Sequence, residues 1–179
     1  MPDYRRNYIP GGIYFFTVVT FGRKPIFLSR PAREMFLAAW LDTRGRFPFR
    51  TKACCLLPDH LHCIWQLPEH DRDFSLRWKE IKRLFTKGYL AGIGTDGFRN
   101  PSRVRKGEAA VWQRRFWEHS IRDQEDLNRH IAYIHYNPVK HGLAKRAKDW
   151  PWSSFHRYVA AGLIDADWGG VDLNFEAGE

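Results

Sequence analysis

The stretch TKACCLLPDHLHCIWQLP, residues 51–68, decides how the chain folds. It holds two short apolar runs, Thr51 to Leu57 and Leu61 to Leu67, joined by Pro58-Asp59-His60 and stopped by Pro68. Paired runs of this length around a turn read as a β-hairpin. His60-Leu61-His62 opens its second strand. Alternate residues of a strand face the same side, so both imidazoles can converge on one ion while Leu61 turns into the core. Cys63 alternates away from His62 and joins that core. Two imidazoles suit Zn or Mn, whereas hard oxygen ligands favour Mg. Taken alone, the pair fits polar residues at a strand edge equally well.

Upstream, Ile13 to Thr20 follows Gly11-Gly12, is rich in β-branched and aromatic residues, and reads as a strand. Arg30 to Thr43 places Met35, Phe36, Ala39 and Trp40 at helical spacing, and Phe47-Pro48 breaks the chain. Downstream, Phe74 to Leu90 is helical in period, with Lys79, Lys82, Arg83 and Lys87 between its apolar positions. Gly92 to Gly107 is rich in Gly, Pro, Arg and Lys and is expected to be a mobile basic loop, with Arg103, Arg105 and Lys106 as mobile charges. Val111 to Ile121 supplies a fourth strand. Asp123 caps a helix whose stripe, Leu127, Ile131 and Ile134, ends near Pro138. A Trp-rich stretch after Gly142 holds a short helix around 153–161.

The order β-α-β-β-α-β predicts an α+β, ferredoxin-like antiparallel sheet with helices on one face, extended by a C-terminal helix and a Trp-rich tail. At 179 residues this is one domain, 1–179, with a basic loop at 92–107 and a tail at 144–179. With 44% hydrophobic and 27% charged residues the chain is a folding one, which excludes disorder. The net charge of +9 does not specify a fold, but it favours an anionic partner such as nucleic acid. Three cysteines, Cys54, Cys55 and Cys63, form no spaced framework and fit reduced thiols in the cytoplasm. Met1 to Pro10 lacks the apolar core of a signal peptide, and no apolar run approaches the roughly 20 residues of a membrane span. A cytoplasmic protein with no membrane partner is expected.

The second candidate constellation lies on the helix after Asp123, where Tyr133 and Asn137 are four residues apart and share a face. The Asn137 carbonyl can complete a metal site that Tyr133 also faces, although a residue before proline is biased away from helical geometry. A helical tyrosine by itself is normally a packing residue. The set makes sense for phosphodiester chemistry: a divalent ion polarises the phosphoryl oxygen, and a phenol, with its solution pKa of about 10, needs a nearby cation or base to attack. A tyrosyl phosphate conserves the bond for later rejoining.

Five stretches then carry a family resemblance: YRRNYIPGGIYFFTV (4–18), LPDHLHCIWQLP (57–68), FSLRWKEIKRLF (74–85), WQRRFWEHSIRDQEDLNRHIAYIHYNPVKHGL (112–143) and DWPWSSFHRYV (149–159). In this order, over nearly the whole chain, they resemble the REP-associated tyrosine transposases, relatives of the single-strand insertion-sequence transposases among the HUH nucleases. The resemblance implies His60 and His62 as metal ligands, Asn137 as the third and Tyr133 as nucleophile. It also implies Mg2+ or Mn2+ as cofactor, a monomer, and a single-stranded DNA hairpin flanked by a short guide tetranucleotide as substrate.

Tyr4, Arg5 and Arg6 lie in the stretch that, by the resemblance, helps read the guide; a solvated terminal arm is the plainer reading. Lys79, Lys82 and Arg83 offer a phosphate-tracking face or simply a solvated one. Arg114 and Arg115 beside Phe116 and Trp117 combine charge with stacking surface, which favours DNA contact. His119, His130, His135 and His141 compete as ligands; His135 should face away from Tyr133, and His130 should share its face. A tail containing Trp168 that covers the site is a further expectation. The alternative function is a non-catalytic ferredoxin-like module gripping structured DNA or RNA, which no chelator would inactivate.

Overall fold

The computed structural model describes residues 6–170, so Tyr4, Arg5 and the end of the tail lie outside the described residues. Strands β1 (Ile13–Val19), β2 (Arg50–Leu56), β3 (His60–Gln66) and β4 (Trp117–Ser120) form one sheet in the order β2-β3-β1-β4. Every neighbouring pair is antiparallel. Helices α1 (Arg30–Arg46) and α2 (Phe74–Gly92) make the two crossovers, giving the ferredoxin-like arrangement. Ser29 caps α1 by accepting from the Ala32 N–H, with Pro31 in the first turn, where no N–H is needed. Asp73 caps α2 through the Leu76 N–H at 2.8 Å.

Alternation along the strands builds two cores. Tyr14, Phe16 and Val18 of β1 and Leu61, Cys63 and Trp65 of β3 pack under α1 and α2, where Trp65 stacks on Trp78 at 4.3 Å. Phe15, Ala53, Cys55 and Ile64 face the other side, where Leu127 and Ile134 of helix α4 (Gln124–Lys140) cover them. Helices therefore occupy both faces, not one as the element order suggested. The central strands are apolar on both sides, and the second face would otherwise stand bare in water.

Three further expectations are corrected. The fourth strand is only Trp117–Ser120; Val111 and Trp112 instead enter the core beneath α1 and α2. The 92–107 segment contains a short helix, α3 (Pro101–Arg105), capped by Asn100. Arg103 is a buried structural residue there, its guanidinium donating to the Ala109 and Trp112 carbonyls. Finally, α4 runs through Pro138. In the last turn the missing N–H costs a single backbone bond, and the helix ends at Lys140, capped by His141 and followed by Gly142, whose φ of +66° suits a glycine.

The C-terminal segment covers the free edge of β2. The Leu56 N–H donates to the Trp152 carbonyl at 2.9 Å, and the Ser154 N–H to the Cys54 carbonyl at 2.8 Å. This protects an edge that would otherwise pair with other chains. It also ties in α4, because buried His135 meets the Ser154 hydroxyl at 2.8 Å. That helix, α5 (Phe155–Ala160) and Trp168 pack together, Trp168 lying against Tyr136 and Phe155.

Burial, with smaller contributions from Arg157 and His156, pushes His135 down to about 4. The unfolded chain then binds the extra proton between about pH 6.5 and 4. The contribution of neutral His135 is fully present above pH 6.5 and fades as the pH falls. Wild type is expected to lose roughly 2 kcal/mol between pH 7 and 5 from this group. His135→Gln should flatten that part of the profile in urea titrations at each pH; identical slopes would refute the assignment.

Candidate active site

His60 and His62 stand on β3 on the face covered by α4, and both are only 4% exposed. Their rings lie 4.9 Å apart. Each Nδ1 is engaged: that of His60 with Asp59 Oδ1 at 2.5 Å, and that of His62 with Thr17 Oγ1 at 2.9 Å. Thr17 is the cross-strand partner of His62, so the sheet register fixes the second contact. With Nδ1 occupied, Nε2 of each ring is left as the ligand atom, and its direction is set by the outer partner. Burial opposes ionisation of Asp59, but the His60 hydrogen bond and Arg23 hold its carboxyl below the ordinary value. Burial above all, then His60, His141 and Lys140, pushes His62 well down and keeps it neutral, the form that binds metal.

Helix α4 brings Tyr133 to this pair. Its ring is half-buried, 5.2 Å from that of His62 and 5.9 Å from Phe15. Two turns further, the His141 ring lies 5.1 Å from His60, and the Lys140 ammonium sits 5.0 Å from the Tyr133 ring centroid. Positions 133, 137 and 141 form one stripe of the helix, which puts Asn137 between the two ring contacts. Asn137 is fully buried, and among the described residues neither its oxygen nor its nitrogen has a hydrogen-bond partner. An unpaired buried carboxamide costs about 1–3 kcal/mol, which a bound cation would offset at the oxygen. Two imidazole nitrogens and one carboxamide oxygen thus fit a divalent ion. Sequence reading missed Lys140, Thr17 and Asp59, and weighed His141 only as a competing ligand. Lys140 was legible as a helical neighbour of Tyr133, had the helix been carried past Pro138.

The competing histidines separate. His135 faces away from Tyr133, as its position on the helix suggested. His119, Asp126 and His130 gather three ligand atoms within 4.8 Å of one another. His119 Nε2 meets Asp126 Oδ2 at 2.7 Å, and His130 Nδ1 meets the Asp126 carbonyl at 2.8 Å. Arg122 and Arg129 also reach this carboxylate, and Asp126 lies in the first turn of α4, where the helix dipole is positive. Charge there disfavours a cation; the cluster acts as a clasp holding β4 to the start of α4.

The expected DNA-contacting residues fall into two groups. Arg6 is tied down, donating to Ser75 Oγ at 2.7 Å and lying 4.2 Å over the Phe116 ring beside Glu118. Half-buried Lys82 donates to the Gln113 carbonyl at 2.9 Å, Arg83 pairs with Glu80 at 2.8 Å, and Arg114 pairs with Glu108 at 2.5 Å. Lys79 and Arg115 are exposed, and Trp117 is 50% exposed with its edge toward Phe15 at 5.6 Å.

No family model matches the chain. It is 45% identical over 179 residues to the REP-associated tyrosine transposase of Escherichia coli, covering 100% of this chain and 98% of that one. A Haemophilus influenzae relative named for the same family is 45% identical over 170 residues, covering 95% and 94%. A solved structure of a REP-associated tyrosine transposase bound to a REP hairpin superposes with a TM-score of 0.79 at 44% identity, covering 100% of this chain and 98% of that one. Fold and relatives together define a transposase of the tyrosine class. Within that class, the chain belongs to the REP-associated tyrosine transposases.

Proposed function

We propose that this protein nicks and rejoins single-stranded DNA at hairpin elements through a 5′-phosphotyrosine, in the manner of HUH nucleases, with Mg2+ or Mn2+ as cofactor. The observation that carries the reading is the meeting of Tyr133 with a pair of histidines whose Nδ1 atoms are both tied back. The hairpin substrate rests on the hairpin-bound relative. In this reading Nε2 of His60, Nε2 of His62 and the Asn137 oxygen hold the metal. The bound ion supplies Lewis-acid polarisation of the scissile phosphate. Asp59 and Thr17 aim the imidazoles. Tyr133, fixed between His62 and Phe15, presents its hydroxyl for in-line attack, and rejoining is the reverse displacement by the 3′-hydroxyl. All four residues belong to one chain, which supports a monomer as the acting unit. Arg6, Lys79, Lys82, Arg83, Arg114, Arg115 and Trp117 are assigned to DNA contact, with Tyr4 and Arg5. No helix among the described residues is long and apolar enough to cross a membrane.

The test is a covalent adduct. Wild type incubated with 5′-labelled and 3′-labelled hairpin DNA and Mn2+ is expected to retain the 5′-phosphate side on the protein. Tyr133→Phe should lower adduct formation by at least about a thousandfold, and a chelator should do the same while leaving hairpin binding intact. Equal adduct from wild type and Tyr133→Phe removes Tyr133 as nucleophile.

A further inference from the structure

Phosphoryl transfer places a second negative charge on the non-bridging oxygens as the nucleophile arrives, and one divalent ion meets only part of it. Two cationic side chains influence the histidine pair. They are Arg23, at the Asp59 carboxylate behind His60, and Lys140, on the helix that carries Tyr133. Arg23 is engaged with Asp59 at 3.1 Å, so its charge is spent in aiming His60. Lys140 is exposed on the last turn of α4, with its ammonium 5.0 Å from the centre of the Tyr133 ring. A flexible four-carbon stem lets that ammonium travel a few ångströms from the ring face to an oxygen bonded to the atom the phenol attacks. The helix fixes both groups, seven residues apart on one stripe, so the cation and the nucleophile move together.

We propose that Lys140 is a catalytic residue: its ammonium contacts a non-bridging oxygen of the scissile phosphate and stabilises the charge that develops as Tyr133 attacks. This rests on the reading of Tyr133 as nucleophile. In the step, the Tyr133 Oη–P bond forms and the P–O3′ bond breaks. The phenolic proton is released, the 3′-oxygen takes up a proton, and no electrons change hands between molecules. Lys140 keeps its proton throughout and acts as a charged donor. In the free protein the same ammonium rests over the π-face of the ring, which holds the phenol toward His62 until DNA arrives.

The experiment compares wild type, Lys140→Ala, Lys140→Gln and Lys140→Arg on two oligonucleotides, one with the native scissile phosphate and one with an uncharged methylphosphonate there. With the native phosphate, Lys140→Ala and Lys140→Gln are expected to slow single-turnover adduct formation about a hundredfold, and Lys140→Arg to recover much of the loss. With the methylphosphonate the lysine has less charge to meet, so the same variants should cost only a few-fold. A metal-free readout accompanies this. In chelator, on a Tyr133→Phe background, Lys140→Ala should reduce the salt slope of binding by about 0.7 for the native oligonucleotide and leave it unchanged for the methylphosphonate. An equal penalty on both substrates, no penalty on either, or an unchanged salt slope overturns the proposal. Tyr133→Phe assayed alongside separates the two claims: if it still forms adduct, the nucleophile reading fails; if it is dead while Lys140→Ala cleaves normally, only Lys140 fails.

Discussion

A His62→Gln protein is expected to bind hairpin DNA much as wild type does and to form no measurable adduct with it. In the proposed site His62 would supply a ligand from inside the sheet; it is 4% exposed, with its ring locked by Thr17 at one nitrogen and packed by Phe15 at 5.5 Å and by Tyr133. Loss of one of the three proposed protein ligands would leave too weak a site for a hard divalent ion at millimolar concentration, and glutamine keeps enough volume to spare the fold. The residues proposed for phosphate contact, which should dominate affinity, are other ones and should be untouched. A graded series sharpens the prediction. Thr17→Val removes only the partner of Nδ1, and Asp59→Asn only the carboxylate behind His60. Each is expected to weaken Mn2+ binding by about 10–100-fold and to be rescued by excess metal, whereas His62→Gln is not. Mn2+ titration followed by electron paramagnetic resonance reads the affinities, and gel-resolved adduct reads the chemistry. Wild-type adduct from His62→Gln would sink the metal assignment.

The second large effect is a split in Asn137→Ala between two quantities that usually move together. The carboxamide is fully buried and unpaired among the described residues, so the metal-free protein carries its desolvation cost. Truncation removes that cost and loses some packing, and the two terms are each about 1–3 kcal/mol and opposite in sign. Metal-free stability should therefore hardly change. Metal-linked stability should collapse. At a free concentration of about 100 times Kd, a bound ion adds about 2.7 kcal/mol; if Asn137→Ala weakens binding about a hundredfold, only about 0.4 kcal/mol remains at the same concentration. For a domain of this size that is a rise in Tm of roughly 5–10 °C in wild type against roughly 1 °C in the variant. Scanning calorimetry with and without Mn2+ measures both. An undiminished metal shift in Asn137→Ala would free Asn137 from the site.

Much of this was legible in the residues themselves. The hairpin at 51–67, the period of 74–90 and the cap at Asp123 are local signals, written in neighbouring side chains, and they gave the β-α-β-β-α-β order that the sheet confirms. The boundaries that failed did so where tertiary contacts outweighed local preference. Pro138 reads as a helix end, yet the face that Ile134 and Val139 bury carries the helix on to Lys140. Arg103 reads as a solvated charge in a loop, yet two backbone carbonyls and the face of Phe21 claim its guanidinium.

The sequence by itself determined that alternate residues of one strand present two imidazoles on one side, and that Tyr133 and Asn137 share a side of one helix. Both follow from backbone periods of 2 and 3.6, which need no knowledge of the rest of the chain. Only the tertiary structure decided that those two sides face each other. That depends on α4 crossing to the uncovered face of the sheet, on register pairing Thr17 with His62, and on the helix outlasting its proline so that Lys140 and His141 arrive beside Tyr133 and His60. Burial of apolar surface chooses those placements, and it sums over residues far apart in sequence, where no local pattern records it.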